Sequence, residues 1–333
     1  MGNNEEKSTL MRQTSSSISN TNVPASMDIE AYSQHSFSSY DANRTETVQV
    51  QSYWKTYLPK ELFCCIILFI FGVYSPTKLW RPIFGINMRP IPYQKLSSGD
   101  VILDLALSNE YTSNDKVWCS SMLLKQTSIT LPLIIMIIVT QIAPKARVKY
   151  HDTHAAVCVL LTSIGTCEFS TQMAKMFVGR LRPNFYQFCG FNIENLECTG
   201  SEHDIIESRS SFPSGHSSLC TCGMFVLVLF LLGRAKIGSS AIPTKNEKSS
   251  SFINRKFVAV ASISPLAWST FVACSRLYDN WHHPSDIVAG CCMGLFFPAV
   301  VYHIWYPSVV SKQAGVPLES LITSALPSNK DFA

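Results

Sequence analysis

The sequence predicts an all-α protein, a six-helix transmembrane bundle. Three observations lead there. Of the 333 residues, 47% are hydrophobic and only 15% are charged. The charged residues are clustered, which leaves long, nearly uncharged stretches separated by basic loops. Six of these stretches approach the roughly 20 residues that a helix needs to cross a bilayer.

Taken in order, residues 1–52 are rich in Ser, Asn, Thr and Gln without sustained periodicity, and a disordered tail is expected over 1–58. The start, MGNNEEKS, resembles a myristoylation site but places Glu6 where the motif wants Ser or Thr. With no cleavable signal peptide, the first apolar segment is expected to act as its own signal anchor. That segment, 59–80, is the weakest, with a short dense core, LFCCIILFIFGVY, and Pro76 behind it. The second runs over 117–143, the third 153–174, the fourth 217–233, the fifth 257–274 and the sixth 287–306. Pro132, Pro265 and Pro298 fall inside them, where neighbouring helices can satisfy the freed carbonyls. Residues 307–333 form a C-terminal tail, and the helical domain is expected over 59–306.

The loops set orientation. Lys145, Arg147 and Lys149 follow the second segment, and Arg234, Lys236, Lys245, Lys248, Arg255 and Lys256 follow the fourth. By the positive-inside rule these loops and both termini are cytosolic. The other loops then face the lumen or the exterior. A net charge of +4, spent on such topology signals, makes no case for nucleic-acid binding.

Of twelve cysteines, most sit in apolar segments as small hydrophobes, and none forms a CxxC pair near histidines at zinc spacing. Cys189 and Cys198 differ, since both lie in the polar loop FCGFNIENLECTG on the non-cytosolic side. Gly190, Asn192 and Asn195 permit the turns that would bring them together, so a disulfide is expected.

Three polar clusters fall at helix ends on that same side. KMFVGRLRPNF follows the third segment, SFPSGHSS precedes the fourth, and SRLYDNWHHPSD follows the fifth. Alone, FPSGHSS reads as well as a helix start, with Ser217 or Ser218 as cap, as it does as an oxyanion-binding turn. Together the clusters resemble the type 2 phosphatidic acid phosphatase (PAP2) superfamily, which includes lipid phosphate phosphatases and, more distantly, vanadium haloperoxidases. That signature is Lys-x6-Arg-Pro, Pro-Ser-Gly-His and Ser-Arg-x5-His-x3-Asp. Here it reads Lys175–Arg182–Pro183, Pro213–Ser214–Gly215–His216 and Ser275–Arg276–His282–Asp286. The segment RPIPYQKLSSGDVILDL is similar to the first lumenal loop of lipid phosphate phosphatases.

The resemblance implies a metal-independent hydrolase without cofactors, acting on membrane lipid phosphates such as phosphatidate, lysophosphatidate, sphingoid-base phosphates or diacylglycerol pyrophosphate. The residue chemistry agrees. A phosphate monoester carries about two negative charges and needs fixed cations and donors. Lys175, Arg182 and Arg276 supply charge, while the Gly215 amide and the Ser214 hydroxyl supply donors. His282 would attack phosphorus, with Asp286 four residues on to hold its other ring nitrogen. His216 would protonate the leaving alkoxide and later activate water. Ser275 and Arg209 are weaker candidates for phosphate contact or support, and no residue set suggests a metal. His203 reads as a solvated loop residue, His283 as a bystander or substrate contact, and His154 and His303 as packing or interface residues. A homodimer is compatible with the pattern. Two rival readings are a lipid phosphotransferase of the same superfamily and a membrane interaction protein that has lost catalysis.

Overall fold

The computed structural model describes residues 55–142, 149–235 and 256–325. The expected disordered tail up to residue 54 and the loop charges Lys145, Arg147, Lys236, Lys245, Lys248 and Arg255 lie outside the described residues. Five helices are long and apolar enough to cross a membrane. They are α1 (Lys55–Phe84), α2 (Ser121–Ile142), α6 (Gly215–Ala235), α7 (Lys256–Tyr278) and α8 (Pro284–Trp305).

The difference from the six expected is α3 (Lys149–Val178), which contains the predicted third segment. At 30 residues it is long enough to span, but it is not apolar enough to count with the others. It packs on α2, α6 and α8. A helix walled by other helices does not need an apolar surface. Thr162, Ser163 and Thr171 of α3 are accordingly buried in protein, and the Thr171 hydroxyl donates to the Cys167 carbonyl at 2.8 Å.

The centre of the bundle is α6. Protein covers 72% of its most apolar stretch, against 22% in each of α1, α2 and α7. The outer helices turn large side chains such as Phe63, Phe71, Val288 and Phe296 outward, as lipid-facing surfaces do. The closest partner of α6 is α8. Gly290 and Gly294 make that approach possible: a Cβ on Gly290 would meet the Ser214 carbonyl oxygen at 2.6 Å, and one on Gly294 would meet Thr221 Cβ at 2.6 Å. Small residues four apart on a helix let two backbones come together in this way. Pro132 and Pro265 fall where the helical ladder is already altered, whereas Pro298 sits within the unbroken α8. A π-helical turn, Gln126–Thr130, runs into Pro132, and α7 loosens over Ser262–Ser264 before Pro265 restarts it.

Outside the long helices, β1 (Tyr93–Lys95) pairs antiparallel with β2 (Val101–Leu103). A short helix α4 (Phe185–Phe188) leads to a two-residue hairpin of β3 (Phe191–Asn192) and β4 (Glu197–Cys198). A disulfide joins Cys189 to Cys198 across it, with their Cα atoms 5.3 Å apart. Gly190 adopts φ +63° at the hairpin's entry, and Asn192 Oδ1 accepts the Glu194 amide at 2.7 Å to make its turn. Closing a loop this short contributes about 2–3 kcal/mol by the chain-entropy estimate. Helix α5 (Glu202–Glu207) follows, capped by Ser201, and α9 (Leu318–Ala325) closes the described chain. Of the apolar-segment cysteines, Cys65, Cys158, Cys167, Cys220 and Cys222 are buried, while Cys64, Cys274 and Cys292 are exposed on the outer faces.

Candidate active site

The C-terminal ends of α3 and α7 and the N-terminal ends of α6 and α8 meet at one end of the bundle. Hydrogen bonds stitch their connecting segments together. The Arg182 amide donates to the Ser208 carbonyl at 2.9 Å, the Ser211 amide to the Arg180 carbonyl at 3.0 Å, and the Ser214 amide to the Asp286 carbonyl at 3.0 Å. These segments surround a cavity of about 440 Å³. Lys175, Arg182, His216, Arg276 and His282 all line it, so residues from the three polar clusters share one wall.

Lys175 is the last basic residue of α3 and is buried. A methyl group at Gly215 would stand 3.4 Å from its Nζ. The ammonium therefore sits beside the first residue of α6, a 21-residue helix, where free backbone amides and the helix dipole both favour an anion. Ser214 acts as the cap of that helix. Its Oγ accepts from the Ser217 hydroxyl at 2.9 Å and the Ser217 amide at 3.3 Å. The capping role thus falls to Ser214, not to Ser217 or Ser218, because the helix starts at Gly215. Ser214 is fully buried behind the cavity wall.

Arg182 is held on several sides. Nε donates to the Glu207 carbonyl at 2.7 Å, Nη1 to the Trp281 carbonyl at 3.0 Å, and Nη2 to Glu207 Oε2 at 3.3 Å. Its guanidinium also lies 4.8 Å from the centre of the Trp281 ring. Arg276 is oriented by Asp279, whose Oδ2 accepts Nη2 at 2.7 Å, and by the Ser275 hydroxyl at 3.2 Å. Ser275 therefore braces Arg276 from behind. Arg209 points elsewhere: its Nη1 donates to the Arg89 carbonyl at 2.8 Å and its guanidinium lies over Phe185, tying down the RPIP loop.

The geometry fixes the tautomer of His282. Its Nδ1 lies 2.7 Å from the Ser211 carbonyl, which can only accept, so Nδ1 carries the hydrogen. Its Nε2 lies 3.4 Å from Arg182 Nη1, which can only donate, so Nε2 carries the lone pair. Burial pushes the ring's pKa down to about 3, against the opposing pull of Asp286. At neutral pH the imidazole is neutral, with its unprotonated nitrogen beside Arg182. Asp286 stands further off than the spacing suggested, with Oδ2 3.7 Å from Nδ1. It orients the ring indirectly. Oδ2 accepts the Ser211 hydroxyl at 2.6 Å and the His283 amide at 2.9 Å, and Oδ1 pairs with Arg180 Nη1 at 2.6 Å.

Several groups that contact the expected site residues carried no signal in the motif spacing: Arg180, the Ser211 carbonyl, Glu207 and Asp279. Arg180 sits two residues before Arg182 in GRLRP, and the doubled arginine was the available clue. His203 borders the cavity, but its side chain is 79% exposed, as expected of a solvated residue, with Nδ1 3.3 Å from Asp204 Oδ1. His283 Nε2 lies 3.1 Å from the Leu181 carbonyl. The described residues include one group with metal-ligand spacing, Glu61, His154 and Glu319, whose ligand atoms lie within 4.8 Å of one another. His154 and Lys175 are 21 residues apart on α3, so about 30 Å separates that group from the cavity.

Long apolar helices ending at a cationic cavity that three histidines also line define a multi-pass integral membrane protein. Residues 156–309 match the family model for the PAP2 superfamily. Among similar proteins is a PA-phosphatase related-family protein of Dictyostelium discoideum, 34% identical over 50% of this chain and 55% of its own length. Lipid phosphate phosphatase 1 of Arabidopsis thaliana is 31% identical, over 51% of each chain. Diacylglycerol pyrophosphate phosphatase 1 of Saccharomyces cerevisiae is 26% identical over 66% of this chain and 75% of its own. The match spans about half the length of the first two relatives. No solved structure matches.

Proposed function

We propose that this protein is a lipid phosphate phosphatase that hydrolyses phosphate monoesters of membrane lipids through a phosphohistidine at His282. The observation that carries the reading is the lone pair of His282 Nε2 at a cavity that Lys175, Arg182 and Arg276 also line. Those cations would grip the non-bridging phosphoryl oxygens, with the Gly215 amide as a further donor. His282 Nε2 bonds to phosphorus as the phosphorus–alkoxide bond breaks, and His216 gives its proton to the departing alkoxide. Water, losing a proton to His216, then attacks phosphorus, the P–N bond breaks, and phosphate leaves. The names of the plant and yeast relatives support a lipid phosphate substrate. A cavity at the end of the helix bundle suits a substrate whose chains stay in the bilayer. In this reading the catalytic domain is 59–306, the termini are cytosolic and the cavity opens to the lumen or exterior.

The cradle's charge comes from side chains, so turnover is expected to persist in excess EDTA. Vanadate is expected to inhibit by imitating five-coordinate phosphorus. A panel of phosphatidate, lysophosphatidate, sphingoid-base phosphate and diacylglycerol pyrophosphate, assayed on purified protein in detergent, measures both. Strict dependence on Mg²⁺, or no release of phosphate from any of the four, would overturn the reading.

A further inference from the structure

The cavity holds an anion of its own. Glu207, the last residue of α5, lines it, and its carboxylate bridges two arginines. Oε1 lies 3.7 Å from Arg81 Nη1, and Oε2 lies 3.3 Å from Arg182 Nη2. Burial pushes the Glu207 carboxyl up, but the charges of Lys175, Arg182 and Arg81 outweigh it and hold it below the usual glutamate range. It is therefore ionised. A carboxylate with one oxygen on each of two guanidiniums makes the contacts that two phosphoryl oxygens would make there. The main chain adds to the grip, since the Glu207 carbonyl accepts Arg182 Nε at 2.7 Å. That bond would keep Arg182 in place after the carboxylate had let go.

We propose that Glu207 is the built-in counter-anion of the phosphate cradle, holding Arg182 when the site is empty and yielding Nη2 to the phosphoryl group when it is filled. The inference rests on the phosphatase reading. Its consequence lies in charge balance. Four cations, Lys175, Arg182, Arg276 and Arg81, stand in or beside the cavity, and an untempered cluster would hold product phosphate tightly and release it slowly. Glu207 lowers that affinity by offering the same cations an internal partner. A glutamate that merely braced Arg182 would have the opposite effect, because its loss would misplace the arginine and weaken phosphate binding.

The sign of the change in Glu207→Gln decides between the two. With the charge gone and the shape kept, the inhibition constants of vanadate and inorganic phosphate should each fall about tenfold, and kcat should fall with them as product release slows. Glu207→Asp keeps the charge but withdraws it by one methylene, and its constants should fall by about two- to threefold. That variant carries the test alone if the glutamine variant does not fold. Wild-type protein in the same assay separates the two claims. If it neither turns over lipid phosphate nor responds to vanadate, the phosphatase reading fails. If it does both, while the variants bind vanadate no more tightly or more weakly, the counter-anion role is overturned.

Discussion

Alanine at His282 should abolish turnover of every phosphate monoester, lipid or aryl, by about 10⁴-fold or more. The expectation follows from position. His282 is the group that presents an unprotonated nitrogen, Nε2, beside Arg182. The adjacent His283 cannot substitute, since its Nε2 is engaged with the Leu181 carbonyl at 3.1 Å. Without a nitrogen to bond to phosphorus, a better leaving group brings no rescue. Folding should survive, because the substitution frees one buried carbonyl, Ser211, at a cost of about 1–3 kcal/mol. Turnover measured beside vanadate binding checks both halves. A variant that keeps near-normal rates would place the nucleophile elsewhere.

His216→Ala should separate substrates by their leaving groups. His216 lines the same cavity as His282, and its Nε2 is buried without a hydrogen-bonding partner among the described residues, leaving it available to a reacting oxygen. An alkoxide leaving from a lipid phosphate needs a proton, so the loss there should be about 10²- to 10⁴-fold. An aryl phosphate leaves as a stable phenolate, and its phosphorylation step should fall by about tenfold or less. Comparing single-turnover rates on phosphatidate and p-nitrophenyl phosphate measures the split. Equal losses on both would remove the proton-donor role and leave His216 a positioning residue.

Much of this site was legible in the sequence because the residue spacing is also the spacing of helix ends. Lys175 and Arg182 straddle the end of α3, His216 opens α6, and Arg276 and His282 straddle the end of α7. Antiparallel neighbours bring those ends together. What was not legible has physical reasons. The Ser211 carbonyl that fixes the His282 tautomer is backbone and leaves no mark in residue identity. Glu207 and Asp279 are single acids among several in polar loops, and only folding shows which of them faces an arginine. Asp286 lies at the right interval for His282, yet Arg180 and Ser211 draw it away, so the two stand 3.7 Å apart. The third expected segment, 153–174, lies in α3, which is less apolar than the five candidate spans. Sequence hydropathy does not tell which helix face is covered by protein, and α3 hides Thr162, Ser163 and Thr171 among its neighbours.

The covalent intermediate is the centre of the account, and the His216→Ala variant is the place to catch it. Water activation is slowed there, while an aryl phosphate can still load His282. Mixing that variant with phosphate-labelled p-nitrophenyl phosphate, quenching in alkali and mapping the peptides should find the label on His282, stable to alkali and lost in mild acid. Phenolate release with no label retained, or label on any other residue, would contradict it.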